Sequence, residues 1–141
     1  MNSESNTVQE QSRAAQTPHV SIVDDDESVR EAIKSLLRSV GLGADVFASA
    51  EEFLRSDRLK NTACLILDVR MPGMNGLELQ KLLAAAHHKI PIIFITAHVS
   101  DREARNRALQ AGAVDFLSKP FSEETLLNDV YAVTEFHGGS I

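Results

Sequence analysis

The sequence predicts an α/β fold built on a parallel five-stranded sheet with helices on both faces. Three observations carry this. Short apolar, β-branched runs alternate with segments of helical periodicity, giving five strand-then-helix units in one order from His19 onward. The strand runs are apolar without polar alternation, as in a sheet covered on both sides. The chain is 141 residues long, which suits one domain with a hydrophobic core of its own.

Residues 1–17 are rich in Ser, Asn, Gln and Glu and are expected to form a disordered arm. The domain is expected over 18–137, followed by a flexible tail at 138–141. The first strand is His19–Val23. Asp24-Asp25-Asp26 follows it, and Val29, Ala32, Ile33, Leu36, Leu37 and Val40 then recur at helical spacing. Gly41 and Gly43 end that helix, and Ala44–Phe47 is the second strand. Ser49-Ala50-Glu51-Glu52 reads as a capping box opening a short second helix. Ala63–Leu67 is the third strand. Asn75-Gly76-Leu77-Glu78 caps a third helix whose apolar face is read as Leu79, Leu82, Leu83 and Ala86. Ile90–Ile95 is the fourth strand, with Pro91 near its start. Ser100-Asp101-Arg102-Glu103 caps the fourth helix and Gly112 ends it. Val114–Leu117 is the fifth strand, and Ser122 opens a fifth helix carrying Leu126, Leu127, Val130 and Val133.

Composition excludes several functions. The longest apolar runs are far too short to span a bilayer, so no membrane contact is expected. A single cysteine, Cys64, forms no internal disulfide, which suits a cytoplasmic protein, and it reads as a small core residue. Cys and His spacing offers no zinc site. The net charge of -6 argues against nucleic acid as a direct partner of this chain.

In parallel sheets of this kind, ligands bind beyond the C-terminal ends of the strands. There the sequence sets Asp24, Asp25 and Asp26 after strand one, Asp68 after strand three, Thr96 after strand four, and Ser118 and Lys119 after strand five. Clustered carboxylates repel, and either raise a pKa or recruit a cation. Carboxylate oxygens without His or Cys suit a hard ion, best Mg²⁺, with the backbone carbonyl of Arg70 as a further oxygen donor. The spaced ligands and central glycine of a calcium loop are missing. A carboxylate beside such an ion can attack phosphorus to give an acyl phosphate. Lys119 and the Thr96 hydroxyl would meet two of the phosphoryl oxygens and the ion the third. Asp68, alone at the end of a buried central strand, is the better nucleophile than Asp24 or Asp25. Taken singly, each residue has a plainer reading: Asp24–Asp26 as a helix cap, Thr96 as a turn residue, Lys119 as a surface cation. Lys119-Pro120 is a candidate cis bond.

The segments Val23-Asp24-Asp25, Leu67-Asp68-Val69-Arg70-Met71-Pro72-Gly73-Met74-Asn75-Gly76, Ile95-Thr96-Ala97-His98, Ala111–Phe116 and Lys119-Pro120-Phe121 together resemble the FixJ-type receiver domain of bacterial two-component response regulators. The resemblance covers about His19 to Phe136. It implies a flavodoxin-like (βα)5 doubly wound sheet of order 2-1-3-4-5. It implies that Asp68 takes a phosphoryl group from a sensor histidine kinase or phosphotransfer protein. Asp25 and Asp68 would ligate Mg²⁺ directly and Asp24 through water, with Thr96 and Lys119 on the phosphoryl group. Phe116 occupies the family's aromatic switch position. The surface of helix 4, strand 5 and helix 5, with a basic rim of Arg102, Arg105 and Arg107, would then bind a downstream protein or a second copy. Arg70 and His98, two residues after Asp68 and Thr96, would tune dephosphorylation.

FixJ-type regulators usually carry a DNA-binding helix-turn-helix domain. No basic recognition helix occurs up to Ile141, so the expectation is a receiver acting alone or one taken from a longer regulator. No turnover of an independent substrate is expected. The rival reading is a Mg²⁺-dependent phosphatase of the haloacid dehalogenase type, with Asp24 as nucleophile and Asp26 as acid/base.

Overall fold

The strand runs pair as their pattern requires. A computed structural model describes residues 17–97 and 101–136. In it, β1 (His19–Val23), β2 (Gly43–Phe47), β3 (Cys64–Asp68), β4 (Ile92–Thr96) and β5 (Asp115–Ser118) form one sheet. All pairs are parallel and the order is β2-β1-β3-β4-β5, a doubly wound flavodoxin-like fold. The connecting helices are α1 (Glu27–Ser39), α2 (Ala50–Arg55), α3 (Gly76–Ala85), α4 (Arg102–Gln110) and α5 (Glu123–Thr134), with a 3₁₀ turn at Asp57–Lys60 after α2.

The period-two alternation of the strands divides the core into two layers. Leu65 and Leu67 of β3 join Phe94 of β4 beneath α2, α3 and α4, represented by Phe53, Leu79, Leu83, Ala104 and Ala108. Cys64 and Ile66 of the same strand join Ile93 and Ile95 beneath α1 and α5, represented by Ile33, Leu37, Leu126 and Val130. Every residue of β3 and β4 is buried, which is why neither shows polar alternation. Cys64 is a buried thiol, as expected. Among the described residues, no helix is long and apolar enough to cross a membrane.

Local chemistry fixes the helix starts. Asp26 caps α1 by accepting from Ser28 N, and Asn75 and Glu78 close a full capping box on α3. The box at α2 is displaced by one residue. Ser49 Oγ accepts from Glu52 N, but the Glu52 carboxylate accepts from Ala48 N instead of from the cap's own amide. Asp101 caps α4, and Ser122 caps α5.

Two expectations are corrected. The buried face of α3 is Gly76, Leu79, Gln80 and Leu83, while Leu82 is 39% exposed and Ala86 faces solvent. Apolarity alone selects Leu82 over Gln80. Gln80 is buried because its Nε2 donates to the Ala108 carbonyl at 3.0 Å, tying α3 to the C-terminal half of α4. The strand limits also shift toward the C-terminus: β3 ends on Asp68, β4 starts at Ile92 and ends on Thr96, and β5 ends on Ser118. Pro91 has no amide to donate, so it sits just outside β4 and gives only its carbonyl, to Leu65 N. The expected arm and tail lie outside the described residues, apart from Thr17.

The edge of the sheet opposite the C-terminal strand ends holds a second carboxyl pair that the sequence did not single out. Asp129 of α5 faces Asp115 at the start of β5, and its Oδ2 is buried with no hydrogen-bond donor among the described residues. Burial and the adjoining Asp115 carboxyl push Asp129 up to about 7, and burial, aided by the Asp129 charge, pushes the Cys64 thiol up to about 12. A proton on Asp129 lets the two carboxyls share a hydrogen bond. A carboxyl raised on folding contributes stability that is present below its unfolded value of 3.8 and lost as pH rises through about 7. Asp129→Asn should therefore melt about 2–5 °C above wild type at pH 8, with the difference closing toward pH 4 in a thermal melt series. A constant difference across that range would show that the pair does not titrate in this window.

Candidate functional site

Four of the five strands deliver a polar side chain to one edge. Asp24 follows β1, and its amide donates to the Phe47 carbonyl, which carries the β1–β2 pairing one residue past the strand. Asp68 is the last residue of β3, Thr96 the last of β4, and Lys119 follows β5 with its amide donating to Thr96 O at 2.7 Å. Asp24 and Thr96 are fully buried and Asp68 is nearly so, whereas Asp25 is exposed. The cluster thus has a closed floor and one side open to solvent.

Three carboxylates converge. One oxygen each of Asp24, Asp25 and Asp68 lies within 4.8 Å of the others. Lys119 Nζ enters from the β5 side, 2.9 Å from Asp24 Oδ2 and 3.7 Å from Asp68 Oδ2. The Lys119-Pro120 bond, whose isomer the sequence leaves open, is cis. Asp24 Oδ1 accepts from Asp26 N at 2.8 Å, so both Asp24 oxygens have a donor. Arg30 of α1 donates to the Asp24 carbonyl at 2.7 Å and fixes that backbone from below.

The electrostatics follow from burial and charge. Burial and the Asp24 and Asp25 carboxylates push Asp68 up to about 7, against the opposing pull of Lys119 and of the Arg70 backbone amide. Burial pulls the Lys119 ammonium down, but the Asp24 hydrogen bond and the charges of Asp68, Asp24 and Asp26 outweigh it, and the net direction is up. One ammonium does not neutralise three carboxylates. A hard divalent cation would, and the donor set of oxygens without His or Cys fits one.

Asp26 does not join the cluster. Its Oδ1 accepts from Ser28 N and Ser28 Oγ at 2.9 and 2.7 Å, and it serves as the α1 cap. The serine hydroxyl and amide hold its carboxyl below the usual range. The acid/base role of the phosphatase reading therefore has no residue in place. Phe116 is buried, its ring centroid 5.9 Å from that of Phe94, and its carbonyl accepts from Arg105 Nη1 at 3.2 Å. Arg102, Arg105 and Arg107 are exposed on α4, with Arg105 committed to that carbonyl. His98 lies outside the described residues.

Two supports of the site went unread in the sequence because each residue already had a capping explanation. Glu51, at the start of α2, accepts from Met74 N at 3.0 Å and holds the β3–α3 loop, a contact that also keeps its carboxyl below the usual range. Gly76 packs directly beneath the C-terminal end of β3. A Cβ there would collide with the Asp68 carbonyl oxygen and stand 3.1 Å from the Phe94 ring. Neither contact has a local sequence signal, since both join segments distant along the chain or across a loop.

Fold and site together define a receiver-type α/β module with an acidic cluster at its strand ends. The chain belongs to the response regulator receiver domain family, which matches residues 20–131. It is 51% identical over 116 residues to nodulation protein W of Bradyrhizobium diazoefficiens, covering 82% of this chain and 51% of that protein. The structure of response regulator StyR superposes with a TM-score of 0.78 at 48% identity, covering 84% of this chain and 60% of StyR. The crystal structure of FixJ-N superposes with a TM-score of 0.76 at 36% identity, covering 86% of this chain and 97% of that one. The chain spans about half the length of the curated relatives it matches.

Gly76→Ala should cost about 2 kcal/mol or more, because backbone and not a flexible side chain must give way. A denaturant melt reads this, and a loss below about 0.5 kcal/mol would mean that the loop relaxes freely.

Proposed function

We propose that Asp68 is the phosphoacceptor of a two-component phosphorelay, loaded by a sensor histidine kinase or a phosphotransfer protein. The observation that carries this is that the Asp68 carboxylate, at a strand end, lies within 4.8 Å of both Asp24 and Asp25 and 3.7 Å from the Lys119 ammonium. An Asp68 oxygen attacks phosphorus, the phosphorus–nitrogen bond of the donor phosphohistidine breaks, and the imidazole keeps the electron pair and takes up a proton. Lys119 shifts from carboxylate to phosphoryl oxygen, and the Thr96 hydroxyl donates to another. Because the carboxylate is buried among like charges, its nucleophilic form depends on compensation by cations.

Mg²⁺ supplies charge neutralisation on the acidic side of the site. Asp25 and Asp68 suit direct ligation with the Arg70 carbonyl, and Asp24, whose oxygens are both engaged, suits an indirect role. The added charge on Asp68 can act only by favouring one of two arrangements of a bistable element. Phe116, packed on Phe94 beneath the Arg105-held carbonyl, is that element in this reading, and the α4–β5–α5 surface is the output face for a downstream protein or a second copy. The module works in the cytoplasm and turns over no independent substrate.

Intact mass after incubation with acetyl phosphate and Mg²⁺ tests the reading. Wild type should gain one phosphoryl group, Asp68→Asn none, and chelation should abolish the gain. A gain that survives in Asp68→Asn would move the acceptor elsewhere.

A further inference from the structure

The rim of the site is tied across its α4 side by one exposed ion pair. Arg70 Nη2 stands 2.7 Å from Asp101 Oδ2. The Asp101 side chain is 16% exposed and that of Arg70 58%, so the carboxylate is sunk against the protein while the guanidinium faces water. Asp101 divides its two oxygens: Oδ1 caps α4 through Ala104 N at 3.3 Å, and Oδ2 takes Arg70. Arg70 is meanwhile two residues from the acceptor, with its backbone amide lowering the Asp68 carboxyl. Its side chain has one anionic partner in Asp101, and a phosphoryl group carried by Asp68 would offer a second.

The balance between them changes with phosphorylation. The bare cluster is already net negative, and a phosphoryl group adds charge and three acceptor oxygens. A guanidinium matches phosphoryl oxygens with paired donors better than it matches water. Against this, an exposed ion pair is worth only about 0.2–1 kcal/mol. The pair is thus weak enough to be contested and strong enough to bias the outcome.

We infer that Asp101 is a positioning residue for phosphoryl hydrolysis: it draws Arg70 aside and so shortens the life of the phosphoryl group on Asp68. The inference rests on Asp68 being the acceptor. In the hydrolysis, water attacks phosphorus in line with the Asp68 oxygen, the phosphorus–oxygen bond to Asp68 breaks, the carboxylate is regenerated and inorganic phosphate leaves. A guanidinium laid over the phosphoryl group covers the side from which that water comes. Held by Asp101, it leaves the side open.

The test is the decay of the phosphorylated full chain, followed by intact mass after loading with acetyl phosphate and Mg²⁺ and removal of the donor. Four proteins are compared: wild type, Asp101→Asn, Arg70→Ala and the double variant. Asparagine caps helices as well as aspartate, so Asp101→Asn keeps the α4 cap and removes only the charge. Asp101→Asn should lengthen the half-life about two- to fivefold, the range an exposed ion pair can supply. The double variant should decay like Arg70→Ala alone, because the aspartate has no effect without the arginine it holds. Equal or shorter half-lives in Asp101→Asn overturn the inference. So does a lengthening that persists when Arg70 is absent, which would assign the effect to the helix cap. Failure of wild type to take up any phosphoryl group would instead overturn the acceptor assignment, and the inference with it.

Discussion

Everything at this site depends on burying the Asp68 carboxylate beside Asp24 with one lysine for compensation. Two carboxylates removed from water near each other repel strongly, and the fold tolerates them only because Lys119 reaches both. The consequence is a site poised to take up positive charge. Burial raises Asp68, the exposed Asp25 leaves one side open, and the oxygen-only donor set selects a hard cation. A surface carboxylate would need none of this and would gain nothing from a metal. The mutual repulsion of the buried carboxylates is what gives this edge of the sheet its affinity for positive charge.

That arrangement is a product of the topology more than of any local segment. Asp24 and Lys119 are 95 residues apart in sequence, yet share a hydrogen bond. Parallel strands returning through helices bring every strand end to the same edge, and β1 and β3 lie side by side at its centre with Asp24 and Asp68 at their ends. The pairing continues beyond the strands, through Asp24 N to Phe47 O and Lys119 N to Thr96 O, so the functional residues are held by the sheet's own ladder. Rigid backbone is thus extended up to the reacting edge, and only side chains remain free to respond.

What was legible in the sequence reflects the same physics. Periodicity exposed all five strand–helix units, because burial on both faces leaves β3 and β4 wholly apolar. The strand ends exposed Asp24, Asp25, Asp68, Thr96 and Lys119, since polar residues directly after apolar runs are conspicuous. Periodicity failed where a polar side chain is buried against a particular partner: Gln80 is inside because Ala108 O receives its amide, and no property of Gln80 alone announces that. Asp115 and Asp129 were passed over for the same reason, each reading as an ordinary surface acid until the fold brought them together. Glu51 and Gly76 were read as capping residues, which satisfied the local pattern and concealed their tertiary contacts.

The two sides of the site are therefore built to different stiffness. On the β3–α3 side, Glu51 binds a backbone amide and Gly76 packs without clearance under Asp68, so that loop has little room to move. On the α4 side, the rim contact is an exposed ion pair between flexible side chains, Arg70 and Asp101, made from a residue that also caps the helix. Backbone contacts in a packed loop have no alternative partner, while an exposed guanidinium does, so the α4 side is the more yielding of the two. The same α4 carries Arg105, whose Nη1 donates to the Phe116 carbonyl and couples the helix to the β5 backbone. The yielding side of the site is therefore also the side with a direct hydrogen bond from helix to strand backbone.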